Sequence, residues 1–113
     1  MDIRFERTDT AAEFILDGKI DASGATQLDN AIKTRVTADD RIIIFDMAHV
    51  SFISSVGVRV FYALEKMLRL KNRHMYLCAV QPEVRKILEI TGFHRIFTLC
   101  PTAEEALNLS RTT

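Results

Sequence analysis

The first thing this chain lacks is net charge. Its 113 residues carry 15 basic and 15 acidic side chains, which balance at pH 7. Nucleic-acid binding draws most of its affinity from phosphate neutralisation, and no surplus of cations is present to supply a basic surface. Cysteine is almost absent: Cys78 and Cys100 are the only two. Neither forms a Cys-x-x-Cys pair or has ligand spacing to a histidine, which argues against a disulfide framework and against a metal site. Cys78 lies in the apolar run Tyr76–Val80 and reads as a small buried hydrophobe, and Cys100 ends another such run before Pro101. The four glycines are scattered and cannot build a Gly-rich phosphate loop of either common type. His49, His74 and His94 have no ligand spacing. Long hydrophobic runs are missing too: Ile42–Phe45 and Tyr76–Val80 are strand-length and too short to span a bilayer. The start, MDIRFERTDT, is charged and lacks the apolar segment of a secretory signal. These absences predict a cytoplasmic protein with no metal, no cofactor, no membrane insertion and no nucleic-acid partner. No linker, repeat or low-complexity stretch interrupts the chain, so a single domain over 1–113 is expected.

What is present is an ordinary globular mix, nearly half apolar and about a quarter charged. Ile3–Arg7 alternates apolar and polar residues, and Ala12–Leu16 is a second short apolar run. The turn-rich Thr8–Ala11 between them predicts an N-terminal hairpin. After Gly18, Asp21 and Ser23 are both suitable caps for a helix with Ala25, Leu28, Ile32 and Val36 facing inward. Arg41–Phe45 is continuously apolar and β-branched after its first residue, the pattern of a strand covered on both faces. A loop over Ala48–Ile53 then leads to a helix from about Ser54 to Lys71, with an inward stripe of Gly57, Val60, Phe61, Leu64, Met67 and Leu68. His74–Val80 reads as another covered strand. Pro82 suits the first turn of a helix that presents Val84, Ile87, Leu88 and Thr91 and stops at Gly92. Ile96–Leu99 reads as a short strand, and Thr102 with Glu105 has capping-box spacing before Ala103, Ala106 and Leu107. The order predicts an α/β fold with four helices and a mixed, mostly parallel sheet that carries an antiparallel N-terminal hairpin.

The most informative segment is Phe52–Val60. Val56, Gly57, Val58 and Val60 are poor helix formers, so tertiary contacts must hold this helix start, and Gly57 on the buried stripe implies close approach to the sheet. Ser54 is placed to cap the helix, which leaves the Ser55 hydroxyl at the first helical position unneeded for capping. The plain reading is two serines that end a loop. The sharper one is a phosphorylation site, because a phosphate there would meet free N–H groups and the positive end of the helix dipole. The fold would tolerate it, while a docked surface would receive about −1.5 to −2 units of new charge.

This segment resembles the signature of STAS domains, and in particular of the anti-sigma factor antagonists of bacterial partner-switching systems. The resemblance extends over almost the whole chain. Gly18-Lys19-Ile20-Asp21 is similar to the family's Gly-x-Leu-Asp entry to the first helix, and Phe45-Asp46-Met47 to its strand-ending step. Val84-Arg85, Leu88, Gly92-Phe93 and Glu105-Ala106-Leu107 are similar to its C-terminal landmarks. The common family pattern is Asp-Ser-Ser-Gly-Leu-Gly-Val. Ser54 stands in place of the acid and Arg59 in place of the second glycine, and the phosphorylated serine falls on Ser55, with Ser54 as second choice. The resemblance implies a non-enzymatic antagonist that binds an anti-sigma factor serine kinase, is switched off by phosphorylation at Ser55 and is restored by a cognate serine phosphatase. It also implies partner contacts at Asp21, Ser54, Ser55, Val56 and Arg59.

A second reading of the same resemblance is a STAS subunit of a lipid-transport or stress-signalling assembly that is never phosphorylated. A response-regulator receiver, with Asp46 as phosphoacceptor, is a remote rival. It requires an acidic pair after the first strand, whereas Asp39-Asp40 precedes a strand, and Asp46 reads as a loop hydrogen-bonder. The basic cluster Lys66, Arg69, Lys71 and Arg73 sits at a helix C-terminus and complements its dipole.

Overall fold

The computed structural model describes residues 1–8 and 11–112, the last three of these as backbone only. Strand β1 (Asp2–Thr8) pairs antiparallel with β2 (Ala11–Ile20), in register from Asp2 opposite Asp17 to Thr8 opposite Ala11. Asp9 and Thr10, at the centre of the expected turn, lie outside the described residues. Strands β3 (Ile42–Ile53), β4 (His74–Cys78) and β5 (Thr98–Cys100) add in parallel, so the spatial order β1-β2-β3-β4-β5 follows the chain. Helices α1 (Ala22–Arg35), α2 (Ser55–Leu70) and α3 (Pro82–Thr91) make the crossovers, and α4 (Ala103–Thr112) follows β5.

The sheet is covered unequally. On one face Phe14, Leu16, Ile43, Phe45 and Met47 meet Leu28 and Ile32 of α1, Phe61, Leu64 and Leu68 of α2, and Val84 and Leu88 of α3. The other face holds a smaller cluster in which Ala11, Ile42, Ile44 and Cys78 pack on Ala106 of α4. The run Ile42–Phe45 is therefore buried on both faces, as its unbroken apolar pattern requires. Aromatic rings link the layers in a chain: Phe5 to Phe14 at 5.0 Å, Phe14 to Phe45 at 5.2 Å, Phe45 to Phe61 at 4.9 Å and Phe61 to Phe97 at 6.2 Å between centroids. Each tilted or offset pair adds about 0.5–1.5 kcal/mol to what burial of its area contributes.

The structure corrects several expectations. Ala48–Ile53 is not a loop: β3 runs unbroken to Ile53, with His49 opposite Asp17 and Ile53 opposite Ile20. Strand β2 continues past Leu16 through two register irregularities, between Ile15 and Asp17 and between Gly18 and Lys19, and Gly18 takes φ 127°. The buried residues along this stretch, Met47, Val50 and Ile53, are spaced by three, so no two-residue alternation marks it as a strand. Asp46 consequently lies within β3, where it accepts from the Ala48 N–H at 3.1 Å. On α2, Val58 is buried, Val60 is only half-buried and Met67 is exposed. Thr91 is exposed and back-bonds its hydroxyl to the Ile87 carbonyl at 2.8 Å. Val36 is the half-buried C-cap of α1, and β4 ends at Cys78 because Ala79 turns to φ 54°. Past Gly92, at φ 80°, a 3-10 turn over Phe93–Arg95 delays the last strand to Thr98 and lets Phe97 stack on Phe93.

A buried clasp closes the end of the sheet where β3 and β4 begin. The Asp40 carboxylate, 1 % exposed, accepts from Arg7 Nε and Nη2, both at 2.9 Å, and from the Thr37 N–H at 2.8 Å. Its backbone carbonyl accepts from Arg73 Nε at 2.7 Å, and Arg73 Nη2 donates to the Thr37 carbonyl at 2.7 Å. The Arg7 guanidinium holds the Asp40 carboxyl below the usual carboxylate range, with the Thr37 bonds adding to the effect and burial opposing it. A carboxyl with a lowered folded-state pKa contributes stability that is fully present above the unfolded value. That contribution disappears as pH falls through the folded one. Asp40→Ala should cost about 1–2 kcal/mol through the lost hydrogen bonds, since the exposed Arg7 and Thr37 left without their acceptor can turn to water. Urea unfolding measured from pH 7 down to about pH 3 should show a shallower acid loss in that variant than in the native chain. Parallel curves would mean that Asp40 is not the acid-sensitive group.

Candidate functional site

Two helix starts meet at the C-terminal ends of β2 and β3. Strand β2 ends at Ile20, and Asp21 caps α1: its Oδ1 accepts from the Gly24 N–H at 2.8 Å and its carbonyl from the Ala25 N–H at 2.8 Å. Ser23, the other expected cap, is instead within α1. Strand β3 ends at Ile53, and Ser54 caps α2, its Oγ accepting from the Gly57 N–H at 3.2 Å. The Ser54 N–H donates to the Ile20 carbonyl at 2.8 Å, so the cap of one helix is tied to the residue before the cap of the other.

Both starts are seated by glycines. A Cβ on Gly57 would lie 2.6 Å from Ile20 Cγ2 and 3.0 Å from Ile53 Cγ1. One on Gly24 would lie 2.4 Å from the Lys19 carbonyl oxygen. The helix start with the poorest propensity is thus held by close approach to the strand ends, as the cluster of valines around Gly57 predicts.

Ser54 is half-buried in its capping role, while Ser55 is exposed at the first position of α2. Among the described residues no base is hydrogen-bonded to the Ser55 hydroxyl, so it is not built as an activated nucleophile. The first turn of α2 carries no acidic residue, and its positive dipole end is uncompensated. Val56 (43 % exposed) flanks Ser55, and Phe52 (40 % exposed) stands three residues before it as the penultimate residue of β3. Val56 and the exposed Arg59 also line a shallow groove between α1 and α2, of about 300 Å³, with Ala25, Thr26 and Asp29. Ser54, Ser55, Val56 and Arg59 therefore share one helix start, and Asp21 joins them through the Ser54–Ile20 bond. Phe52, Thr26 and Asp29 were not among the expected contacts. Nothing in the sequence separates Phe52 from its apolar neighbours Val50 and Ile53 as the exposed one, and nothing brings α1 beside α2.

No group of three or more His, Cys, Asp or Glu side chains able to hold a metal occurs among the described residues. Burial, with Cys100 adjacent, pushes the Cys78 thiol up to about 12, which leaves it protonated and unreactive.

Gly57→Ala should destabilise by about 1–3 kcal/mol through overpacking against Ile20 and Ile53. Helix propensity alone would have the change stabilise by about 1 kcal/mol. Ser54→Ala should cost about 1 kcal/mol as a lost cap, and Ser55→Ala should lie within about 0.5 kcal/mol of the native chain. Chemical denaturation of the three variants tests the assignment, and reversed values for the two serines would invert it.

Comparison with known proteins agrees with this geometry. Residues 2–106 match the family model described as STAS domain. The chain is 30% identical over 112 residues to a protein of Bordetella bronchiseptica provisionally named anti-sigma factor antagonist BtrV, covering 99% of this chain and 97% of that one. It is 26% identical over 94 residues to the anti-sigma-B factor antagonist of Listeria monocytogenes, covering 83% and 82%. The crystal structure of an anti-sigma factor antagonist from Mycobacterium paratuberculosis superposes with a TM-score of 0.86 at 28% identity, covering 97% of this chain and 93% of that one. The family-model match over residues 2–106 and the 30% identity over almost the full length of both chains place this chain in the STAS domain family.

Proposed function

We propose that this chain is a cytoplasmic, non-enzymatic anti-sigma factor antagonist. It docks through the β3–α2 junction onto an anti-sigma factor that is also a serine kinase. Phosphorylation of Ser55 releases it, and a cognate serine phosphatase restores it. One observation carries the reading: the two serines divide their work, Ser54 being committed to the cap while Ser55 presents a free hydroxyl between the exposed side chains of Phe52 and Val56. The names of the relatives support the antagonist role, and the similarity of Ser54–Val60 to the family motif supports Ser55 as acceptor.

The electrostatics explain how one group can switch binding without switching folding. A phosphate at the first position of α2 sits at a positive dipole end that no acidic side chain already compensates. The fold therefore accepts the charge. A partner seated over Phe52, Val56 and Ser55 would have to desolvate the same charge with no group of its own to pair it, at a cost of about 2–5 kcal/mol.

Incubation with the cognate kinase and ATP should add one phosphate, and peptide mass spectrometry should locate it on Ser55. Phosphate on Ser54 alone would mean that the cap gives way during transfer and that the division of labour is wrong. No phosphate with a demonstrated cognate kinase would indicate a constitutive assembly subunit. Ser55→Asp should melt within a few degrees of the native chain, yet bind the unphosphorylated partner about thirty-fold or more weakly by calorimetric titration. Ser55→Ala should bind normally and resist release. Native-like affinity in Ser55→Asp would place Ser55 outside the interface.

A further inference from the structure

The zero net charge conceals a polarised surface. Lys33 and Arg35 end α1, Lys66, Arg69 and Lys71 end α2, and Arg41 and Arg73 enter β3 and β4, all at the end of the sheet opposite Ser55. Some of these cations are engaged: Lys33 pairs with Asp29 at 2.8 Å and Arg69 with Glu65 at 3.3 Å. Three others converge on one concavity of about 270 Å³, lined by Ala38, Arg41, Lys71, Asn72 and Arg73.

This pocket is built rather than incidental. Arg73 is anchored by its two hydrogen bonds to the Asp40 and Thr37 carbonyls, which fix the guanidinium without neutralising it. Asn72 holds φ 55°, a left-handed conformation that closes the turn between α2 and β4 and sets Lys71 and Arg73 on either side of it. The carboxylate of Asp40 is turned to Arg7 and Thr37, and Asp39, although exposed on the same turn, does not line the pocket. Two exposed cations, the half-buried Arg73 guanidinium and the exposed Asn72 thus surround a concavity whose lining contains no carboxylate. A planar, anchored guanidinium beside a mobile ammonium suits a tetrahedral oxyanion.

We propose that this pocket binds a phosphate group, through Arg41, Lys71, Asn72 and Arg73. The site is separate from the Ser55 docking surface and independent of the function assigned to it. The phosphate can come from a small phosphorylated molecule or from the headgroup of an anionic lipid. Leu70, 83 % exposed beside Lys71, is the feature that separates the two sources, because only a lipid surface offers that side chain an apolar environment.

The test uses the full chain and two probes: inorganic pyrophosphate by calorimetric titration, and sedimentation with phosphatidylcholine vesicles with or without about 30 mol% phosphatidylglycerol. At least one probe should bind saturably, and Arg41→Gln/Lys71→Gln should weaken that binding about tenfold or more, both side chains lying outside the hydrogen-bonded Arg73 clasp. A control pair on α3, Arg85→Gln/Lys86→Gln, makes the same change in net charge and should leave binding unchanged. Pyrophosphate binding that is indifferent to Leu70→Ser assigns the small-molecule source. Binding only to the phosphatidylglycerol vesicles, lost in Leu70→Ser, assigns the lipid source. Absence of binding to both probes up to about 10 mM phosphate overturns the proposal, as does an equal loss in the α3 control, which would reduce the effect to diffuse charge.

Discussion

The structure turns on the contact of Gly57 with Ile20. With no Cβ in the way, α2 descends until its first turn touches the last residue of β2 and the last of β3. That approach is what allows the Ser54 N–H to reach the Ile20 carbonyl and Ser54 Oγ to reach the Gly57 N–H. The cap of α2 is consequently joined by a backbone hydrogen bond to the residue before the cap of α1, and the two helix starts form one shelf at the edge of the core. A helix whose first residues are Ser, Val, Gly and Val has little intrinsic reason to begin there. Burial of Val58, Phe61 and Leu64 against the sheet supplies the reason.

Under the proposed function, this shelf lets a structural serine and a regulatory one stand side by side. Ser54 is part of the scaffold: its hydroxyl and amide are both bonded, and it is half-buried. Ser55 is displayed by that scaffold without contributing to it. A modification one residue earlier would break a cap, whereas at Ser55 it meets only solvent, a favourable dipole and whatever protein is docked there. Exposed apolar side chains on both sides of a polar group are an arrangement suited to a partner surface that excludes water until a charge appears.

At the opposite end of the sheet, Asp40 performs the corresponding structural task for the turns. It draws β1, the α1–β3 turn and the start of β4 together through Arg7, Thr37 and Arg73. The sequence marks it only as half of an acidic pair before a strand, and its two arginine partners are 33 residues away on either side. Counting charges along the chain likewise suggested no basic surface. Folding collects cations from the ends of α1 and α2 and the starts of β3 and β4 into one region while the total remains zero.

The elements legible in the sequence were those governed by local rules. Unbroken β-branched runs marked the doubly covered start of β3, Pro82 and Gly92 bounded α3, and Ser54 announced its cap. The similarity of Phe52–Val60 to a known signature also pointed to Ser55, the basis of the proposed switch. Less legible was everything that depends on a neighbouring chain segment. Strand β3 extends to Ile53 because a bulged β2 offers it hydrogen bonds, and the bulges set buried residues at a spacing of three that no alternation rule detects. Met67 fits a helical stripe by spacing yet is exposed, and the strand expected at Ile96 starts later because Gly92 leads into an extra turn. The sequence by itself determined the order of elements, the α2 cap and the place of Ser55 just after it, because each follows from backbone chemistry within a few residues. Only the tertiary structure decided the groove beside Arg59, the Asp40 clasp and the basic pocket, because each is assembled from residues that meet only when the sheet has formed.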